Sequence, residues 1–140
     1  MTKKYKILGK YIKDVSGETP DIETYIFVKN QISKYQLNID ITSKPLKNKM
    51  IEIETLLKFA DKEESKKKSH FEINFATIIK IDDEIKEKKE LEKIILCDVQ
   101  IEIYPDLEKS LLDLLHNSGY PNIKFEKKIN FEELYNQRLN

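Results

Sequence analysis

Cysteine occurs once in this 140-residue chain, at Cys97, so neither an internal disulfide nor a cysteine metal cluster can be built. A lone thiol of this kind reads as a small buried apolar side chain in a reducing compartment. Net charge is also missing: 25 Lys+Arg balance 25 Asp+Glu, which removes the long-range field that draws a protein to nucleic acid or to an anionic membrane surface. No apolar run is long enough to span a bilayer. The basic start Met1-Thr2-Lys3-Lys4 leads into Tyr5-Lys6-Ile7-Leu8-Gly9-Lys10, which charges interrupt before any signal-peptide core can form. A cytoplasmic protein is expected, with no stable membrane insertion. Only three glycines are present, none in a loop that cradles phosphate, so nothing is arranged for a nucleotide. His70 and His116 stand far apart without a carboxylate or cysteine pattern around them, which argues against zinc and general-base roles. His116 instead suits the last turn of a helix, where the macrodipole favours a partly positive ring. The run Lys66-Lys67-Lys68 neighbours Glu63 and Glu64, which cancel it as a nucleic-acid patch. No catalytic constellation emerges, so the chain is not expected to be an enzyme or to carry a cofactor.

What is there is a run of strands followed by helices. Tyr5 to Val15 alternates loosely, with Tyr5, Ile7, Tyr11 and Val15 on one side and Lys6, Leu8, Lys10, Ile12 and Asp14 on the other. Ser16 to Pro20 closes this strand. Asp21 to Gln31 contains Tyr25-Ile26-Phe27-Val28, too short and continuous to type by period, and is read as a crossing segment with some strand character. Three clearer strands come next. Tyr35, Leu37, Ile39 and Ile41 alternate with polar neighbours, as do Ile51, Ile53, Leu57 and Phe59, and then Phe71, Ile73, Phe75, Ile79 and Ile81. A charged turn, Asp61 to Lys68, separates the last two. Asp82 to Lys93 is mostly charged, a short exposed helix or an excursion.

Helical spacing dominates the last quarter. Ile103, Leu107, Leu111, Leu114 and Leu115 make one apolar stripe, ended by Gly119 as a left-handed cap and by Pro121. Pro105 places the start of this helix near Tyr104, which leaves Cys97 to Gln100 extended. Asn130 caps a second, shorter helix, with Glu133 as its capping-box partner, Ile129 placed to staple against Leu134, and Phe131, Leu134 and Tyr135 as its buried side. Strands before helices is an α+β order: a single domain, 1–140, with a four-stranded antiparallel, meander-like sheet and the long and short helices packed on one face. Tyr25, Phe27, Tyr120, Ile123 and Phe125 fall in expected loops. Such rings either finish the core beneath their own loops or form the surplus apolar surface of a self-associating or peptide-binding protein.

Two stretches resemble a known family. Tyr11-Ile12-Lys13-Asp14-Val15-Ser16-Gly17-Glu18-Thr19-Pro20 is similar to the first strand and turn of the protein-export chaperone SecB family. Tyr104-Pro105, then Gly119-Tyr120-Pro121-Asn122-Ile123, then Ile129-Asn130-Phe131-Glu132-Glu133-Leu134-Tyr135 resemble that family's later signposts in the same order. The resemblance implies a homotetramer, a dimer of dimers, that holds unfolded preproteins in hydrophobic grooves and hands them to the ATPase SecA. It places Phe27, Tyr120, Ile123 and Phe125 as client contacts, with Tyr120 to Lys128 flanking or covering the groove. It also implies that Asp14, Glu18 and Glu72, on the outer face of the sheet, contact SecA.

Gly17 stands where the family has a bulky residue, Lys127-Lys128 where it has a proline, and no aromatic-Ala-Arg follows Tyr104-Pro105. The family is commonly acidic, and many members carry a zinc-binding tail that these 140 residues do not include. These departures leave a holdase intact and weaken the case for SecA, since a neutral face attracts a basic partner less. Two alternatives stand beside export: a SecB-like chaperone dedicated to one cytosolic client such as an antitoxin, and a small-ligand-binding domain.

Overall fold

A computed structural model describes residues 4–61, 68–125 and 129–138. Most of the charged turn expected over Asp61 to Lys68, and the end of the 120–128 segment, lie outside these residues. Four strands, β1 (Tyr5–Glu18), β2 (Tyr35–Pro45), β3 (Met50–Asp61) and β4 (His70–Ile81), form one antiparallel sheet in the order β1-β4-β3-β2. Strands β2, β3 and β4 are successive hairpin neighbours, as their alternation predicts. The chain returns β1 to the far side of β4, so the β1–β2 connection crosses the whole sheet.

That crossing is a helix, α1 (Ile22–Gln31), rather than a segment with strand character. The Asp21 carboxylate accepts the Thr24 N–H at 2.7 Å and so caps the first turn. Thr24 and Val28, four residues apart, are buried, while Ile22, Ile26 and Phe27 face outward. Apolar side chains on both faces erase the helical period that would have revealed it.

β1 carries two bulges, between Ile7 and Gly9 and between Ile12 and Asp14. Each extra residue moves the following side chains to the opposite face. Tyr11 therefore lies on the outer face, where its hydroxyl reaches Glu52 at 3.4 Å, and Lys10 on the helix side, where it pairs with Asp106 at 2.8 Å. This corrects the sides expected for Lys10, Tyr11 and Ile12 in the loose alternation of the strand.

Beyond β4 the chain is helical from Lys88 to Asn117: α2 (Lys88–Lys93), a wide π turn (Ile94–Asp98) and α3 (Val99–Asn117). The extended reading of Cys97 to Gln100 and the start near Tyr104 are thereby overturned. Ile95, Val99, Ile103, Leu107, Leu111 and Leu115 form a buried row spaced by four against the sheet, while Cys97 and Tyr104 face another way, against Phe131. Two buried faces on one helix imitate a strand's alternation. In the π turn the Val99 N–H reaches back to the Ile94 carbonyl, and the buried Gln100 amide donates to the Ile95 carbonyl at 3.1 Å while accepting the Thr55 hydroxyl at 2.9 Å. Gln100 thus fastens α3 to β3.

The short helix α4 (Phe131–Arg138) starts as expected, the Glu133 N–H donating to Asn130 Oδ1 at 3.0 Å. Phe131 packs edge-on against Tyr104 with ring centres 5.4 Å apart, but Leu134 is 37% exposed rather than buried. Cys97 is buried, its thiol pushed up by burial and then by Asp98 and Glu132, as suits an inert side chain. No helix among the described residues is long and apolar enough to cross a membrane.

The Tyr5 hydroxyl donates to the Asp98 carbonyl, and burial, with Glu102 and Asp98 adding repulsion, pushes its pKa up to about 12. Folding therefore favours the neutral phenol, so this contribution is complete below the ordinary tyrosine value near 10 and is lost as pH rises through about 12. Denaturant midpoints measured across that range should fall for the native chain and fall less for Tyr5→Phe; equal declines would contradict the assignment.

Candidate functional site

α3 lies over the middle of the sheet. The inward rows of β3 and β4 are buried, whereas Leu37, Ile39 and Ile41 of β2 remain partly exposed. The chain leaving α3 passes over this half-covered strand. The helix ends in a Schellman arrangement: the Tyr120 N–H reaches the Leu115 carbonyl at 3.0 Å, and the Gly119 N–H the His116 carbonyl at 3.3 Å, with Gly119 at φ +106°. A side chain at Gly119 would place its Cβ 2.5 Å from the Tyr25 ring, whose hydroxyl donates to the Gly119 carbonyl at 2.8 Å. The cap is thus both a turn requirement and a docking point for α1.

Tyr120 is rooted beneath this cap. Its ring contacts Tyr25 at 5.5 Å and Phe71 edge-on at 5.8 Å, and only 4% of it is exposed. Ser69 joins its hydroxyl neighbours: its N–H donates to the Tyr35 oxygen at 3.1 Å, and its hydroxyl lies 2.8 Å from that of Thr19 and 3.5 Å from that of Tyr120. Burial pushes the Tyr35 phenol up, opposed by the Ser69 N–H bond. From Tyr120 the chain turns outward. The Ile123 carbonyl lies 3.1 Å from His116 Nε2, and Phe125 rests on Phe59 with ring centres 5.6 Å apart.

Between this segment and the start of β2 lies a largely apolar cavity of about 800 Å3, lined chiefly by Ile32, Tyr35, Leu37, Phe59, Ile123 and Phe125. Lys29 and Lys124 also line it. Farther along β2, two smaller hollows of about 210 and 390 Å3 lie over Ile39 and Ile41, walled by Leu96 and Tyr135. Tyr120, Ile123 and Phe125 are therefore brought together at the cavity; Phe27 is not, standing 37% exposed on α1 and outside the lining. The sequence does not single out Ile32, Tyr35, Leu37 and Phe59 for this role. Leu37 and Phe59 are cross-strand partners near one end of their hairpin, indistinguishable in sequence from core positions.

On the opposite face, Asp14, Glu18 and Glu72 do form a group. Asp14 pairs with Asn74, Glu18 with His70, and Glu72 sits across from Ser16 between them. Glu72 is already engaged, 3.1 Å from His70 and 3.8 Å from Lys58, while Asp14 and Glu18 are exposed. Lys13, at the second bulge, pairs with Glu54 at 2.7 Å and Glu52 at 3.3 Å, holding the Glu54 carboxyl below its usual range. Among the described residues no three His, Cys, Asp or Glu side chains are placed to hold a metal ion.

Known proteins are similar to this chain in sequence or in fold. The family model described as "SecB: Preprotein translocase subunit SecB" matches residues 1–140. A curated protein of Pelagibacter ubique (strain HTCC1062), described as a putative protein-export protein SecB, is 61% identical over the full length of both chains. Among solved structures, a SecB-like chaperone of Mycobacterium tuberculosis in complex with a ChAD peptide from the HigA1 antitoxin superposes with a TM-score of 0.64 at 11% identity, covering 89% of this chain and 91% of that one. A protein of unknown function from Streptococcus agalactiae gives a TM-score of 0.50 at 8% identity, covering 89% and 97%.

The cap makes a stability prediction. Gly119→Ala meets both a left-handed backbone and the Tyr25 ring, and should cost about 1–3 kcal/mol by denaturant unfolding. Gly9→Ala, where an added Cβ meets nothing within 4 Å, should leave stability unchanged or slightly higher. Similar losses at both positions would contradict the described cap.

Proposed function

This chain belongs to the SecB family of preprotein translocase subunits, and from that membership we propose that it acts as a chaperone in protein export, holding unfolded polypeptides in the groove along β2. The observation that carries this reading is the apolar cavity beneath Ile123 and Phe125, continued by the hollows over Ile39 and Ile41. Successive inward residues of a strand lie about 6.6 Å apart, the same interval at which an extended client presents alternate side chains. A client lying beside β2 can therefore seat one apolar side chain after another without regard to sequence. Nothing in this scheme consumes a nucleotide: binding is burial of apolar surface, reversed when the client finds a better place to bury it.

One seated aromatic side chain contributes only about 1.5–3 kcal/mol, too little to hold a chain alone. Useful holding needs several grooves in one assembly, where the second contact becomes intramolecular. A homotetramer, built as a dimer of dimers, meets that need. It is supported by β1, an edge strand carrying the exposed side chains Leu8, Tyr11, Ile12 and Val15. Handover to SecA in the cytoplasm would use Asp14, Glu18 and Glu72 on the outer face, away from the groove. A second reading, service to one cytosolic client such as an antitoxin, is favoured by the engagement of Glu72 with Lys58 and His70 on a chain of zero net charge.

Aggregation assays and SecA capture test this. The purified protein should suppress aggregation of an unfolded polypeptide at near-stoichiometric ratio without ATP, and Ile123→Ser with Phe125→Ser should weaken suppression several-fold with circular dichroism unchanged. Phe27→Ser should weaken it less, whereas Tyr120→Ser should destabilise the fold, because that ring belongs to the core. No suppression by the native protein would sink the chaperone reading. Replacing both Asp14 and Glu18 by Lys should abolish capture of SecA while leaving suppression intact; capture that survives the change would reject those contacts.

A further inference from the structure

The segment that walls the main cavity is held unequally along its length. At its root Tyr120 is buried, and the Tyr25 hydroxyl donates to the Gly119 carbonyl at 2.8 Å. Pro121 and Asn122 then run exposed. Beyond them Ile123 and Phe125 are partly buried against the cavity, and there the Ile123 carbonyl lies 3.1 Å from Nε2 of His116. A carbonyl can only accept, so this contact requires the ring proton on Nε2. His116 belongs to the last turn of α3, is exposed, and takes no part in the described lining of the cavity. It grips the wall from outside.

Resting on the groove reading above, we propose that His116 is a positioning residue for client binding: it keeps the wall segment closed over a seated apolar side chain and so sets how long the client stays. A segment rooted at Tyr120 and exposed at Pro121 and Asn122 swings about its root, and the bond at Ile123 opposes that swing. Because His116 is exposed, the bond competes with water, and it shifts the ratio of closed to open wall by about two- to tenfold. Such a tie prolongs residence and still lets the client go. It acts on departure more than on arrival, so its loss is read in the dissociation rate.

The test follows release of a labelled peptide, one central Phe in a polar background, from the full chain by fluorescence anisotropy after a chase with unlabelled peptide. His116→Leu keeps the bulk and removes the donor. His116→Gln restores an N–H the same number of bonds from Cα. Release should be about two- to tenfold faster from His116→Leu and near native from His116→Gln, with association no slower and all three thermal midpoints alike. Without peptide, amide exchange in His116→Leu should rise across 122–125 and stay unchanged along α3. Native-like release from His116→Leu, or release from His116→Gln as fast as from His116→Leu, overturns the inference while leaving the groove standing. A lowered thermal midpoint with exchange raised along α3 marks a merely structural helix end and overturns it as well. Failure of the native chain to bind the peptide overturns the groove reading itself, and this inference with it.

Discussion

A single helix is narrower than a four-stranded sheet, and that mismatch governs this molecule. An α-helix with its side chains is about 10 Å across. Four strands spaced at about 4.8 Å present a wider face than that. The row from Ile95 through Leu115 therefore covers the middle of the sheet, where Ile53, Leu57, Ile73 and Ile79 are fully buried. Both edge strands are left short of cover. On β1 the deficit appears as exposed Ile12 and Val15; on β2 it appears as the partly covered Leu37, Ile39 and Ile41. Gln100 fixes where the helix sits by bonding Thr55, so the uncovered strip is a consequence of where α3 is fastened.

The parts added around α3 make sense as partial answers to that deficit. α4 covers a section of β2 through Phe131 and Tyr135, and the segment from Gly119 to Phe125 covers another through Phe125 on Phe59. Tyr120 anchors this segment at its root, tied to Tyr25, Phe71 and Ser69, while the residues beyond it rest on apolar surface without being enclosed by it. An anchored root with a partly covered far end leaves room for another chain to complete the layer.

How much of this is legible in the sequence depends on which faces are wet. β2, β3 and β4 alternate cleanly because their outer face meets solvent, and the Schellman end at Gly119 and the cap at Asn130 announce themselves by residue type. α1 is hidden because Ile26 and Phe27 face outward beside buried Val28, so no period survives. Ile95 to Ile103 looks extended because Cys97 faces Phe131 while Ile95, Val99 and Ile103 face the sheet, and the exposed Ile101 completes the alternation. β1 misleads for a third reason, since a bulge leaves no mark on composition, yet the first of the two reassigns Lys10 and Tyr11 and the second returns Val15 to the inner face. At the site, resemblance points to the segment after α3, whereas its wall of Tyr35, Leu37 and Phe59 requires the register of β2 against β3. Phe27 separates from the others only once α1 is known to be a helix.

The central claim is that the strip along β2 is where another polypeptide lies. The most direct measurement is photo-crosslinking of an unfolded client that carries a photoreactive phenylalanine analogue, followed by mass-spectrometric mapping of the attachment points. The account predicts attachments concentrated at Tyr35, Leu37, Phe59, Ile123 and Phe125, thinning out along Ile39 and Ile41. Attachments confined to the outer face around Asn74 and Glu54, or spread evenly over the surface, would contradict it.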